Sequence, residues 1–223
     1  MDKNFVLEKL QKKQKLDPGL IGFGVQRHRY ELRLPINESR LEKLEEEYGI
    51  TLPEDYRNFI LNISNGGAGP GYGLYSIEEA LARNGDEIKE LFIRPDEINE
   101  EQDDHLKECG MLILCQHGCA NDDFLILNGT ERGFVWEYID WVGHHIPLSK
   151  NMPKLSSLNN LPQEEHPEAK KKWVSSLFLV KNDQKMTFSD WYIDWLEQPP
   201  RLFRGTEEKK DKKRSWLTKW LMF

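Results

Sequence analysis

Two consecutive helical patterns constrain the fold of this chain most strongly. Asn37 is a favourable N-cap residue, and apolar residues then recur at helical spacing as far as Gly49, which predicts a helix over about 38–48. Pro53 marks the first turn of a second helix, which the Asn-Gly-Gly sequence at 65–67 ends. We therefore predict a hairpin of two helices with a shared apolar face in the core. The apolar positions of this pair are Leu41, Leu44, Tyr48, Leu52, Tyr56, Phe59, Ile60 and Ile63.

Beyond residue 110 the spacing of apolar residues changes from helical to extended. Short apolar runs at 111–115, 124–127 and 133–138 are bounded by polar turns, which is typical of strands. The turn at 128–132 fits a hairpin connection between the last two runs. We predict consecutive antiparallel strands, and hence an α+β fold with helices packed on a mainly antiparallel sheet.

Two further helices are indicated by capping residues. Ser76 followed by Glu79 forms the sequence pattern of a capping box. Ser189 is the expected N-cap of a closing helix that contains several aromatic residues, and Pro199 and Pro200 end it.

The chain is expected to form one domain with appendages. We predict an N-terminal extension at 1–30, a single domain at 31–200 with a polar insertion near 143–170, and a basic amphipathic tail at 201–223. The adjacent residues His144 and His145 lack a positioned carboxylate partner, so we expect them on the surface or in the insertion.

Composition excludes several classes of protein. The 223 residues are 38% hydrophobic and 11% aromatic, which is too apolar for disorder throughout and enough for a sizeable core. No run approaches the roughly 18 apolar residues of a membrane helix. The lysine-rich start lacks an apolar signal core, and the odd number of cysteines fits reduced thiols, so we expect a cytoplasmic protein.

Charge is distributed unevenly along the chain. The net formal charge is −7, but residues 201–223 carry +5, so residues 1–200 carry −12. Such an acidic body repels nucleic acid and attracts basic proteins. The tail can lie on an anionic membrane, dock on a partner or fold back on the domain, and we favour the last, because exposed clusters of its tryptophans are unusual in soluble monomers.

Two segments are candidates for binding a protein partner. The glycine-rich loop at 66–73 is expected to be exposed and contains Gly69 and Tyr72, although glycines there also serve turn geometry alone. The acidic segment at 96–108 is either a solvated face or a surface that attracts a basic partner. Its candidate contact residues are Asp103, Asp104 and Glu108.

Residues with metal-ligand chemistry are concentrated between 109 and 119. If the segment stayed extended, Cys115, His117 and Cys119 would point to one side, with Cys109 nearby. However, the spacing lacks a Cys-x-x-Cys knuckle, and free cysteine commonly behaves as a small hydrophobe. We therefore expect ordinary core and turn residues, no metal and no cofactor, with zinc as the alternative. The sequence also lacks the common hydrolase and dinucleotide-binding motifs.

Three blocks of the sequence resemble the SUKH superfamily, which unites fungal cell-wall-assembly regulators of the Smi/Knr type with bacterial toxin-immunity proteins. The first block runs from Leu41 through Leu52-Pro53 and Tyr56 to the Asn-Gly-Gly at 65–67. The others are 123–136, similar to the family's central hairpin, and 187–191, similar to its closing helix.

The resemblance implies an α+β domain that binds proteins and has no enzymatic activity. In bacteria the partner implied is most often a toxin that the protein neutralises, and many such toxins are nucleases with basic grooves. A regulatory scaffold of the cell-wall-regulator kind is the alternative. A small metal-dependent hydrolase that uses the cysteine and histidine residues is the third reading.

Overall fold

The computed structural model describes residues 1–97, 109–139, 144–150 and 178–201, and within them it shows a four-stranded antiparallel sheet. The strand order follows the sequence, β1-β2-β3-β4, so each strand pairs with its sequence neighbour. The strands are β1 (Met111–Gly118), β2 (Asn121–Ile126), β3 (Val135–Ile139) and β4 (His144–Pro147). The predicted α+β class and the three predicted strands are confirmed.

Six α-helices accompany the sheet in the described residues. They are α1 (Lys3–Leu16), α2 (Val25–His28), α3 (Glu38–Tyr48), α4 (Glu54–Asn62), α5 (Ile77–Asn84) and α6 (Phe188–Glu197). Helices α3 and α4 are the predicted hairpin, and their predicted apolar positions are buried or pack against the core. Gly49 ends α3 in the left-handed conformation, with φ of 63°, which glycine adopts without a Cβ clash.

Capping side chains set the starts of α5 and α6. Ser76 and Glu79 form the predicted capping box, in which each side chain accepts a hydrogen bond from the other's backbone N–H. The cap predicted at Ser189 is wrong, because α6 begins at Phe188 and the capping box joins Thr187 to Asp190. Ser189 lies within the first turn, where its backbone N–H donates to Asp55 Oδ2 at 2.9 Å.

Aromatic residues join the closing helix to the helical hairpin. The ring centroid of Phe188 lies 4.8 Å from that of Tyr56 and 5.1 Å from that of Phe59, both in edge-to-face geometry. The hydroxyl of Tyr192 donates to the carbonyl of Ala68 at 2.8 Å, so its buried polar end has a partner. These contacts hold α6 against α4 and against the loop that follows α4.

The predicted N-terminal extension packs on the same helix. Val6 and Leu10 of α1 are buried in the main core, and α1 contacts α6. Lys13 extends the contact, since its Nζ donates to the carbonyl of Gln198 at 2.6 Å.

The fourth strand was not predicted, because its residues were assigned to the start of the polar insertion. His145 of β4 is only 4% exposed and packs beside the rings of Phe124 and Tyr138, at centroid distances of 5.1 and 5.0 Å. The expectation of a surface histidine is therefore wrong at this position.

The rest of the polar insertion, from residue 151 onward, and the tail beyond residue 201 lie outside the described residues. Among the described helices, none combines the length and the apolar character needed to cross a bilayer.

Candidate functional site

A row of polar side chains crosses three strands of the sheet. In the strand register Asp123 of β2 is the Cα partner of both Cys115 on β1 and Glu137 on β3. Directly opposed residues of an antiparallel pair share one face, so the three side chains are neighbours. Their exposed fractions are 0% for Cys115, 2% for Asp123 and 7% for Glu137.

His117 joins this row because β1 is irregular at its end. The register of β1 shifts between Ile113 and Cys115 and again between Gln116 and Gly118. The Nε2 atom of His117 lies 2.7 Å from Asp123 Oδ2, and the Sγ atom of Cys115 lies 3.6 Å from each of these two atoms. The three side chains therefore meet at one point.

The closing helix covers this cluster. Trp191 of α6 is 5% exposed, and its indole Nε1–H donates to Asp123 Oδ2 at 3.0 Å. The other carboxylate oxygen, Oδ1 of Asp123, is buried and accepts no hydrogen bond from any described residue. A buried carboxylate oxygen without a donor is unfavourable, because it has lost its hydration without replacement.

The charges in the cluster are strongly coupled. Burial opposes protonation of His117, but the charge and hydrogen bond of Asp123 outweigh it and raise the pKa of the imidazole to about 9. Burial, together with the charge of Asp123, raises the pKa of the Glu137 carboxyl well above its usual range. The same two causes raise the pKa of the Cys115 thiol.

This geometry does not form a nucleophilic relay. In a relay the imidazole uses one ring nitrogen toward the nucleophile and the other toward the carboxylate. Here the thiol of Cys115 and the carboxylate of Asp123 both face Nε2 of His117, and the thiol is made less acidic. What the cluster does offer is a sulfur, an imidazole nitrogen and a carboxylate oxygen that all lie within 4.8 Å of one another, a donor set for a metal ion.

A cavity of about 240 Å³ opens beside the cluster. His117, Asp123 and Glu137 line one side of it, and residues from the N-terminal segment and α6, including Tyr30 and Trp195, line the other. Two basic residues of this wall, Lys13 and His28, are 3% and 7% exposed. The buried cluster therefore borders a cavity whose wall also contains two buried basic residues.

The structure separates the cysteines that the sequence placed together. Cys115 and His117 meet as expected for one side of the strand, whereas Cys119 is exposed in the turn after β1, where φ is 50°. Cys109 is buried before β1 and lies at a different cavity.

Sequence reasoning missed Asp123, Glu137 and Trp191. The sequence did contain a signal for the two carboxylates, because Asp123 directly precedes the apolar run at 124–127 and Glu137 lies within the run at 133–138. The register of the hairpin places these two residues opposite each other.

The glycine-rich loop is largely buried, which corrects the expectation of an exposed segment. Residues 66–70, including Gly69, are buried, and Tyr72 is half-buried. The ring of Tyr72 packs 5.2 Å from that of Phe23 and under the guanidinium of Arg27 at 4.5 Å, and its backbone N–H donates to the Gln116 carbonyl at 2.8 Å. Gly69 is therefore buried in this structure, and roles for Gly69 and Tyr72 in partner binding stay predictions.

The predicted contact residues Asp103, Asp104 and Glu108 lie outside the described residues. The segment just before them forms a surface that we call the acidic ledge. It consists of Asp86, Glu87, Glu90, Leu91, Asp96 and Glu97. Leu91 is 61% exposed and lines an open depression of about 370 Å³ together with Asp86, Glu87, Glu90 and the basic residue Lys89.

A comparison with protein families identifies the chain's relatives. A family model described as the SMI1/KNR4 family (SUKH-1) matches residues 35–156, which is more than half of the chain. No curated protein and no solved structure matches the chain. The match covers the α3–α4 hairpin, α5 and all four strands, including the three that carry the polar cluster. Members of this family are generally non-catalytic and have immunity or regulatory roles that depend on protein binding. The chain therefore belongs to the SMI1/KNR4 (SUKH-1) family.

Proposed function

We propose that this protein is a non-enzymatic immunity protein that neutralises a bacterial toxin by stoichiometric binding. Family membership supports a protein-binding role in general. The observation that carries the finer proposal is the acidic ledge, where the exposed Leu91 shares a depression with three acidic residues and one lysine. A surface of this kind suits a partner with basic residues around an apolar contact.

The charges on the ledge favour a basic partner. The acidic side chains Asp86, Glu90, Asp96 and Glu97 are exposed. Arg94 pairs with Asp96 at 3.0 Å and with Glu97 at 3.7 Å, and Lys89 is exposed in the same segment, so two bases offset part of the charge of the five ledge carboxylates and leave the ledge acidic. Carboxylates at the rim of an interface mainly accelerate encounter and select the partner.

The apolar centre of the ledge would supply affinity. Burying a leucine side chain contributes about 1.5–3 kcal/mol, and binding energy concentrates in a few central residues surrounded by polar contacts. Leu91 has this arrangement, with Ile93 beside it in the same depression. The sequence continues from the ledge directly into the segment that contains Asp103, Asp104 and Glu108, so we include these three residues in the proposed surface.

A toxin whose active site is a basic groove, as in a nuclease, is the target class that this surface fits. Nucleic-acid-binding grooves carry lysine and arginine residues that an acidic protein surface can cover. Neutralisation by coverage requires no bond-breaking chemistry in the inhibitor. The polar cluster at Asp123, which lacks a relay, is consistent with this.

The test is rescue of growth in cells that express a toxin-like protein encoded next to this chain. Full-length protein should restore growth and form a 1:1 complex with the purified toxin by calorimetry. The variant Leu91→Asp combined with Glu90→Lys should weaken the complex by at least about tenfold, because it removes the apolar contact and reverses one charge. The association rate of the unchanged protein should fall as salt is raised.

Leu34→Asp is the matched control, because Leu34 is an 88% exposed leucine outside the ledge. It should leave affinity and rescue unchanged. Equal losses in the ledge variant and the control would contradict the ledge as the binding surface. Capture of a protein of the producing cell's own wall machinery, without any toxin binding, would contradict the immunity role and favour the regulatory one.

A further inference from the structure

We propose that Cys115, His117 and Asp123 bind one zinc ion at the end of the β1-β2 hairpin. This site goes beyond the protein-binding role and differs from the expectation that the chain binds no metal. It is carried by two observations, the convergence of three unlike donor atoms and an unpartnered oxygen on Asp123.

The spacing of the donor atoms is close to that of a tetrahedral site. Zinc bonds of about 2.3 Å to sulfur and about 2.0–2.1 Å to nitrogen or oxygen place neighbouring ligand atoms about 3.3–3.6 Å apart. The Sγ atom of Cys115 lies 3.6 Å from both His117 Nε2 and Asp123 Oδ2. The Nε2–Oδ2 distance is 2.7 Å, a hydrogen bond, and it would open by roughly 0.6 Å when the metal takes the place of the proton.

Asp123 supplies the second, independent observation. Its side chain is 3% exposed, yet Oδ1 accepts no hydrogen bond from the described residues, although Oδ2 faces three donors. Burying a carboxylate oxygen without a partner is costly, and a cation held by the carboxylate compensates for that cost. Trp191 donates to Oδ2 from outside the cluster, which is the role of an outer-sphere group that orients a ligand.

The mixture of donors selects the metal. Magnesium and calcium prefer sites made of oxygen atoms, whereas a thiolate, an imidazole and a carboxylate together suit zinc. Zinc takes a thiolate and a neutral imidazole as ligands, so binding at this site releases protons and strengthens as pH rises. Glu137 is the Cα partner of Asp123 and lines the same cavity, but its carboxylate lies outside the group of three mutually close donors, so we assign it no bond to the metal.

The site requires Cys115 and neither of the other cysteines. Cys119 is exposed in the turn, and Cys109 lies at the cavity beside the acidic ledge. This difference supplies a matched control, since Cys119→Ala removes a thiol of the same segment without touching the three donors.

The experiment measures metal binding by the purified full-length protein. After chelation and dialysis, zinc is titrated by calorimetry and its content determined by elemental analysis. We expect one zinc per chain, no binding of magnesium or calcium, and a rise in Tm with zinc concentration, since a ligand of the native state stabilises it. Cobalt substituted for zinc should give a sulfur-to-metal charge-transfer band.

Cys115→Ala and Asp123→Asn should each lower zinc affinity by at least about 100-fold, because the loss of an outer-sphere partner alone costs 10–100-fold. Circular dichroism of the metal-free variants establishes that they fold, and Asp123→Asn keeps an acceptor for Trp191. Cys119→Ala should keep both the affinity and the cobalt band. Substoichiometric zinc in the unchanged protein, or binding that depends on Cys119 and not on Cys115, would overturn the proposal.

Discussion

Lys185 and Glu131 form a buried ion pair in which the Nζ atom lies 2.6 Å from both carboxylate oxygens. Each residue is 3% exposed. The pair joins the segment before α6 to the turn between β2 and β3, and Arg94 adds a second donor to Glu131 at 2.9 Å. Because water cannot replace a lost partner at this buried position, removing one partner should destabilise the protein more than removing one partner of a surface ion pair.

Replacing the lysine alone should destabilise the protein strongly. We expect Lys185→Met to lower the free energy of unfolding by about 3 kcal/mol, since it leaves a buried carboxylate with Arg94 as its remaining partner. Chemical denaturation measures the change. Lys150→Met is the control, because the Lys150–Asp190 pair is about half exposed and should contribute at most about 1 kcal/mol. Equal effects of the two variants would show that burial of the Lys185 pair is unimportant.

Lys13 is a buried base that lowers the free energy of unfolding by an amount that depends on pH. Burial lowers the pKa of its amine to about 8. A base with a lowered pKa destabilises the folded state fully below the folded pKa, and the cost disappears as pH rises to the unfolded value near 10.5. We expect Lys13→Met to be more stable than the unchanged protein by about 1–2 kcal/mol at pH 7, with the gain fading between pH 8 and 10.5.

Urea unfolding at several pH values measures this gain. The substitution also removes the hydrogen bond from Nζ to the Gln198 carbonyl and the contact with the Trp195 ring. If these contacts outweighed the desolvation cost, Lys13→Met would be less stable at pH 7, and the prediction would fail.

His28 should make the protein sensitive to acid. Burial, and then the nearby charge of Lys13, lower the pKa of His28 to about 4. The neutral ring accepts a hydrogen bond at Nδ1 from the backbone N–H of Tyr30, which protonation would break. Stability should therefore fall by up to about 3 kcal/mol as pH drops from 6.5 to 4.

The control is His28→Gln, whose free energy of unfolding is measured at the same pH values as that of the unchanged protein. The loss of stability that His28 causes between pH 6.5 and 4 should be missing in this variant. The free-energy difference between the two proteins should shrink by about 2–3 kcal/mol between pH 7 and pH 4. A difference that is constant over this range would show that His28 does not titrate in the folded state as described.

Gly71 permits the close approach of the glycine-rich loop to the end of β1. Its φ is +56°, and a Cβ there would lie 2.1 Å from the Gln116 carbonyl oxygen. Gly71→Ala should cost about 3 kcal/mol or more, because it combines strain with a backbone clash. Gly49 has a similar φ of +63° but no atom within 4 Å of the added Cβ, so Gly49→Ala should cost only about 1–2 kcal/mol. Thermal denaturation would compare them, and equal losses would rule out the clash.

Local patterns were sufficient for most of the secondary structure. The hairpin of α3 and α4, the capping box at Ser76 and three strands follow from periodicity and end signals that act over a few residues. The same reasoning misplaced the cap of α6, because Thr187 and Ser189 are both capping residues. Thr187 is distinguished by Asp190 three residues later, which completes the local pattern of a capping box, and Ser189 instead donates its backbone N–H to Asp55.

The glycine-rich loop shows where composition misled the prediction. Glycines and a proline suggested exposure, yet α6 covers this loop through Tyr192, and residues 66–70 are buried. Similarly, β4 was hidden in a polar sequence, because His145 is buried by the neighbouring rings of Phe124 and Tyr138 and not by its own hydrophobicity.

By itself the sequence determined helices α3 to α6, three of the four described strands, the acidic character and the family resemblance, since each depends on residues that are close together along the chain. The tertiary structure decided that Cys115, His117 and Asp123 meet beneath Trp191, which is 68 residues from Asp123. That meeting depends on the register shifts in β1 and on where α6 docks. Both result from the packing of the whole core, and no local pattern of residues encodes them.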